Sequence, residues 1–135
     1  MLHGPGAEVA RFETEPTGGY AWSLSSDGTR IAVIRNWDNR IHILSLNRQP
    51  PVVITAKDES HLLGIYWAAD GKGWFSARML ASGAVLLHVD LRGQARPIWE
   101  LKGDAIGYGM PSPDGQHLAI VATVRTSNVW ALDKF

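Results

Sequence analysis

The chain has 135 residues, 45 % of them hydrophobic and 19 % charged, so it can bury one packed core and is too apolar to be disordered. Thirteen basic and thirteen acidic residues give a formal net charge of zero, which removes the electrostatic case for nucleic acid as a partner. Cysteine is absent, and with it disulfides, thiolate catalysis and any cysteine-ligated zinc.

Residues 1–8, which begin Met1-Leu2-His3-Gly4-Pro5-Gly6, lack the basic start and apolar core of a secretory signal and are expected to be flexible. No apolar stretch reaches the roughly 20 residues of a membrane-spanning helix, so no membrane insertion by this segment is expected. The compartment is left open. Residues 9–13 are the first with strand character, and no Asp-Gly pair precedes them.

A unit then begins that occurs three times. Strand Tyr20–Leu24 leads into Ser25-Ser26-Asp27-Gly28, followed by strands at 31–34, 41–46 and 52–55, with a turn at 37–40. The second copy runs from a strand at 63–67 through Ala68-Ala69-Asp70-Gly71 to strands at 74–77, 85–91 and 97–101, with a turn at 80–84. The third has a weaker strand at 106–110, then Ser112-Pro113-Asp114-Gly115, then strands at 118–122 and 129–132 about a turn at 125–128. Asp27, Asp70 and Asp114 are 43 and 44 residues apart, and Ser45, Asp90 and Asp133 follow as equivalent landmarks. Gly supplies the positive φ of a tight turn and Asp bonds the backbone just beyond it.

Four short antiparallel strands every 40–45 residues are the signature of a β-propeller blade. The expected fold is therefore all-β, with three four-stranded antiparallel blades over residues 9–135 and almost no helix. No window keeps a helical apolar period for ten residues without a Gly or Pro break. In this phase the lone strand at 9–13 is expected to complete the last blade. Three blades do not close a ring, so the chain reads as a partial propeller or as half of a six-bladed homodimer.

These repeats resemble the WD40-like (PD40-type) propeller family, whose repeats also occur in the translocation protein TolB. The stretches 111–120 and 127–135 are similar to the C-terminal propeller end of bacterial eukaryotic-like serine/threonine kinases, and winged-helix regulators carry similar propellers. The resemblance implies a sensor or scaffold role in a larger bacterial signalling protein, outside the cell membrane where the parent is a membrane-spanning kinase. No kinase glycine loop, kinase catalytic motif or helix-turn-helix pattern accompanies it.

The residues offer little chemistry. His42 and His88 fall three and two positions before their landmarks, on opposite faces of equivalent strands, and no His-x-x-x-His or His-Glu-x-x-His pair exists. There is no Gly-x-Ser-x-Gly elbow, and the glycine-rich stretch 103–109 lacks the Gly-Lys-Ser/Thr of a phosphate loop. The reading is non-catalytic, with no metal and no cofactor. Trp74 and Trp130 are expected between blades, while Trp37 and Trp99 are undecided. Tyr20, Trp22, Tyr66, Trp67 and Tyr108 cluster on the innermost strands and are the candidate ligand-binding residues at the channel rim. A protein or peptide partner is the expectation. The alternatives are an accessory propeller of a peptidase or hydrolase, and the self-assembling homodimer.

Overall fold

The computed structural model describes Gly6, Glu8 and residues 11–14, 18–59, 61–103 and 105–124, with backbone alone for 105–108 and 124. Its ten strands are β1 (Tyr20–Leu24), β2 (Arg30–Arg35), β3 (Arg40–Ser45), β4 (Val52–Thr55), β5 (Leu62–Trp67), β6 (Gly73–Leu80), β7 (Gly83–Asp90), β8 (Ala95–Lys102), β9 (Ala105–Pro111) and β10 (Leu118–Val124). They form two four-stranded antiparallel meanders, β1-β2-β3-β4 and β5-β6-β7-β8, and a β9-β10 pair. No helix occurs among the described residues. The fold is all-β, with blades of a partial propeller.

The Asp-Gly turn is built the same way three times. Gly28, Gly71 and Gly115 have φ of 70°, 70° and 71°. Each donates its N–H to the carbonyl three residues back, on Ser25, Ala68 and Ser112, at 2.9 Å. The aspartate Oδ1 accepts the N–H two residues on, from Thr29 (3.0 Å), Lys72 (2.9 Å) and Gln116 (3.0 Å). A short polar side chain thereby satisfies a backbone donor that the tight turn leaves outside the ladder.

The sequence equivalence of Ser45 and Asp90 holds in register. Ser45 pairs with Arg30 and Asp90 with Gly73, each three residues after its turn aspartate. Side chains alternate along a strand, so His42 and His88 do lie on opposite faces.

Strand β1 lies against β5, and β5 against β9, so these three form the inner edge from which the blades fan outward. The core sits in the seam between the first two blades. Ala32, Ile34, Ile41 and Ile43 of the first meet Ile65, Trp67, Trp74, Val85, Leu87 and Val89 of the second. Trp74 is completely buried there, as the repeat predicts. On its other face the second blade packs against β9, where a Cβ on Gly109 would come within 2.8 Å of Leu86. A glycine in an inner strand lets the third unit approach that closely.

Two expectations about the chain ends fare differently. Residues Arg11–Thr14 pair with no strand, and Val9 and Ala10 lie outside the described residues. The Phe12 ring instead packs edge-on against Tyr20 and His42, on the face of the first blade away from the second. The last-blade strand that residues 9–13 are expected to complete lies beyond Val124, outside the described residues. The expected strand at 129–132, with Trp130 and Asp133, lies outside the described residues.

Candidate functional site

At the inner edge, β1 and β5 enclose a cleft of about 310 Å³ lined by Tyr20, Ala21, Trp22, Asn36, Gly64, Ile65 and Tyr66. Trp22 stands on β1 with 68 % of its surface exposed, and Tyr20 and Tyr66 are half-buried beside it. Three of the five predicted aromatics thus share one cleft. Tyr108 lies on β9 opposite Val121, and its side chain is outside the described residues.

Trp67 is a correction. It is 4 % exposed and packs on Trp74 with ring centroids 4.9 Å apart. Tyr66 and Trp67 are consecutive on one strand, so alternation sends them to opposite faces. Tyr66 reaches the cleft; Trp67 turns into the seam with the first blade.

Two lining residues escaped the sequence reading. Asn36 Oδ1 accepts the Gly64 N–H at 3.2 Å, while its own backbone N–H donates to Gly19 O at 2.8 Å. Asn36 therefore ties the ends of β1, β2 and β5 together below the aromatics. Gly64 has φ of 65° and sits in a bulge of β5 between Leu63 and Tyr66. A glycine inside a strand pattern was the available signal for that bulge. Asn36 carried none.

Other polar groups serve the Asp-Gly turns. Ser25 Oγ donates to Asp27 Oδ1 at 2.6 Å and accepts the Arg30 N–H at 3.0 Å. With the two Thr29 donors this lowers the Asp27 carboxyl from 3.8 to about 2. Ser112 does the same for Asp114, lowering it too. Burial lowers His42 and His88 below 6.5, with Arg40 and Arg96 adding to it and nearby aspartates opposing. Among the described residues, no three His, Asp or Glu side chains gather as a metal ion would require. Trp37 and Trp99, undecided from sequence, are both exposed.

No protein-family model matches the chain, and no curated protein sequence does. A solved structure assigned as TolB, from Agrobacterium tumefaciens, is similar to it with a TM-score of 0.52 at 15 % identity. The match covers 79 % of this chain and 43 % of that one, so this chain spans less than half of the protein it resembles. At that identity the likeness speaks for the fold alone: this is a TolB-like β-propeller architecture, built here from its repeating blades.

Proposed function

We propose that the chain is a non-catalytic β-propeller module that binds a protein or peptide through the aromatic cleft between β1 and β5. The observation that carries this reading is Trp22. A tryptophan 68 % exposed on an inner strand, lining one cleft with Tyr20, Tyr66 and Asn36, presents a large aromatic surface for contact. Tryptophan and tyrosine contribute large apolar area with few rotatable bonds, which is why they dominate binding hot spots. The host is a larger bacterial signalling protein, a context supported by the resemblance of residues 111–120 and 127–135 to kinase-linked propellers.

The test is a selection of peptides from a random library against the purified chain, followed by binding to Trp22→Ala and Tyr66→Ala variants whose circular dichroism is unchanged. The selected peptides are expected to lose tenfold or more in affinity with each variant, equivalent to about 1.4 kcal/mol or more. Peptides that bind both variants as tightly as the parent would remove the cleft from consideration.

A further inference from the structure

The seam between the second blade and the third unit encloses a cavity of about 630 Å³, within the range of small-molecule sites. The corresponding groove in the first seam holds about 290 Å³. The repeat shows where the added space comes from. Trp67 and Trp74 line the first groove, and the same register positions in the third unit carry Pro111 and Leu118.

The opposite wall differs too. One cross-strand row of the first blade runs Ala32, Ile43, Val52, and the same row of the second runs Phe75, His88, Arg96. An imidazole and a guanidinium thus stand in place of an aliphatic pair. The Phe75 ring meets the imidazole edge-on, with centroids 5.3 Å apart. The imidazole also lies over Gly73, where a Cβ would come within 2.9 Å of the ring, so a glycine leaves it room.

Two charges of opposite sign reach this cavity from the second blade, Arg96 and Asp70. Both side chains are exposed, so a ligand meets them without opening the core. Among the described residues Arg96 belongs to none of the ion pairs. Asp70 is the turn aspartate with the fewest donors. Ala68 stands where Ser25 and Ser112 give a hydroxyl to Asp27 and Asp114, so Asp70 Oδ1 takes only the Lys72 N–H at 2.9 Å. Asp114, the other carboxylate on the cavity wall, is held by Ser112 and the Gln116 N–H. Burial holds His88 below 6.5, with Arg96 adding to this and Asp70 and Asp90 opposing, so Arg96 and Asp70 both act on one imidazole. In its neutral form that ring offers one donor and one acceptor.

We propose that this cavity binds a small zwitterion with an apolar body, the chemistry of an amino acid with a hydrocarbon side chain or of a short peptide. The carboxylate sits on the Arg96 fork, the ammonium group on Asp70, and the apolar body against Phe75, Ile98 and Leu118. His88 is left to bond whichever polar group lies beside it. A ligand of one charge satisfies one of the two side chains, whereas a zwitterion gives each a charge-assisted hydrogen bond. The apolar walls select a hydrocarbon body over a purely polar zwitterion.

The experiment follows the imidazole signals of the five histidines in the full chain by NMR, with His88 assigned from His88→Gln. At constant pH the chain is titrated to millimolar concentration with leucine and with glycyl-leucine. N-acetyl-leucine and leucinamide, each lacking one of the charges, are titrated in parallel. At least one zwitterion is expected to shift the His88 signals while neither single-charge compound does, and His42 in the first blade should not respond. Arg96→Gln, at an exposed position, and Asp70→Asn, which keeps an acceptor for the turn, are each expected to weaken the response roughly tenfold or more. Trp22→Ala, in the aromatic cleft, is expected to leave it unchanged. A response to leucine alone identifies a free amino acid as the source of the zwitterion, and one to glycyl-leucine alone a short peptide. His88 signals unmoved by both zwitterions, a single-charge compound as effective as leucine, or an undiminished response in Arg96→Gln each overturns the proposal. Where circular dichroism shows Asp70→Asn to be unfolded, Arg96→Gln decides.

Discussion

Gly93→Ala is expected to be among the most damaging single-methyl additions in the chain. Gly93 ends the turn from β7 to β8 with φ of 82°, and a Cβ there would lie 2.0 Å from the carbonyl oxygen of Thr55 at the end of β4. Van der Waals contact would require the two blades to separate by more than an ångström. That separation also stretches the bond from Lys57 N–H to Gly93 O, 2.7 Å across the same seam. Gly103 provides the control, with φ of 92° and nothing within 4 Å of its Cβ position. Left-handed strain alone is about 1–2 kcal/mol, the expected effect of Gly103→Ala. At Gly93, overpacking adds about 1–3 kcal/mol and the lost hydrogen bond about 1 kcal/mol, for roughly 3–6 kcal/mol in total. The first blade supports the separation of terms, because Arg48 holds φ of 60° at the equivalent turn position and tolerates its side chain. Urea unfolding followed by tryptophan fluorescence measures both variants, and Gly93→Ala should also lower Tm by roughly 10–20 °C. Equal losses for the two variants would refute the claim that Gly93 is required by the neighbouring blade.

Three other outcomes are expected. Trp74→Ala empties a fully buried indole from the seam and should destabilise by about 3–5 kcal/mol, whereas Trp22→Ala on an exposed site should change stability by less than about 0.5 kcal/mol, both read by the same unfolding curves. Asp27, lowered in the fold from 3.8 to about 2, contributes stability that is present above 3.8 and lost as pH falls toward 2. Asp27→Asn should therefore flatten the acid limb of stability between those values, and an unchanged acid limb would contradict the hydrogen bonds assigned to Ser25 and Thr29. His42 and His88 are lowered below 6.5, so each should gain its proton at a lower pH in the fold than in the denatured chain. Stability should then rise as pH increases through that interval, and NMR titration of the two imidazoles gives the folded values directly.

Much of the blade was legible because its chemistry is local. Asp-Gly at a fixed spacing specifies a turn whose glycine needs positive φ, and the structure shows φ within a degree across three copies. The strands at Tyr20–Leu24 and Val52–Thr55 have their expected bounds, while β6 runs on to Leu80. Arg78, within that extension, is fixed by both carboxylate oxygens of Glu59, 19 residues earlier, a contact no local pattern encodes. Face assignment was legible where a register landmark existed, as for His42 and His88. It failed at Trp67 because aromatic clustering was read without alternation. Asn36 is the harder miss: its partner Gly64 lies 28 residues away in another blade, and only packing brings the two together.

The division between fixed and free positions also locates where function can reside. The turn aspartates accept backbone N–H groups at every copy, and two of the three take a serine hydroxyl as well. In those two the lone pairs are occupied in holding the turn, which leaves a carboxylate that recurs in every copy with little capacity for a ligand. The positions that differ between copies sit at the same register on the same faces, yet they change from Leu24 and Ile31 to Trp67 and Trp74 to Pro111 and Leu118. A meander forms with any of these pairs, although only Trp67 and Trp74 are buried in a seam between two described blades. Trp22 on β1 differs in kind: five residues before its aspartate, it is exposed where the second blade places the buried Ile65, because no described blade packs on that face of the first. Side chains that differ between copies and carry exposed aromatic area are the ones through which this architecture can acquire a partner without losing its blades.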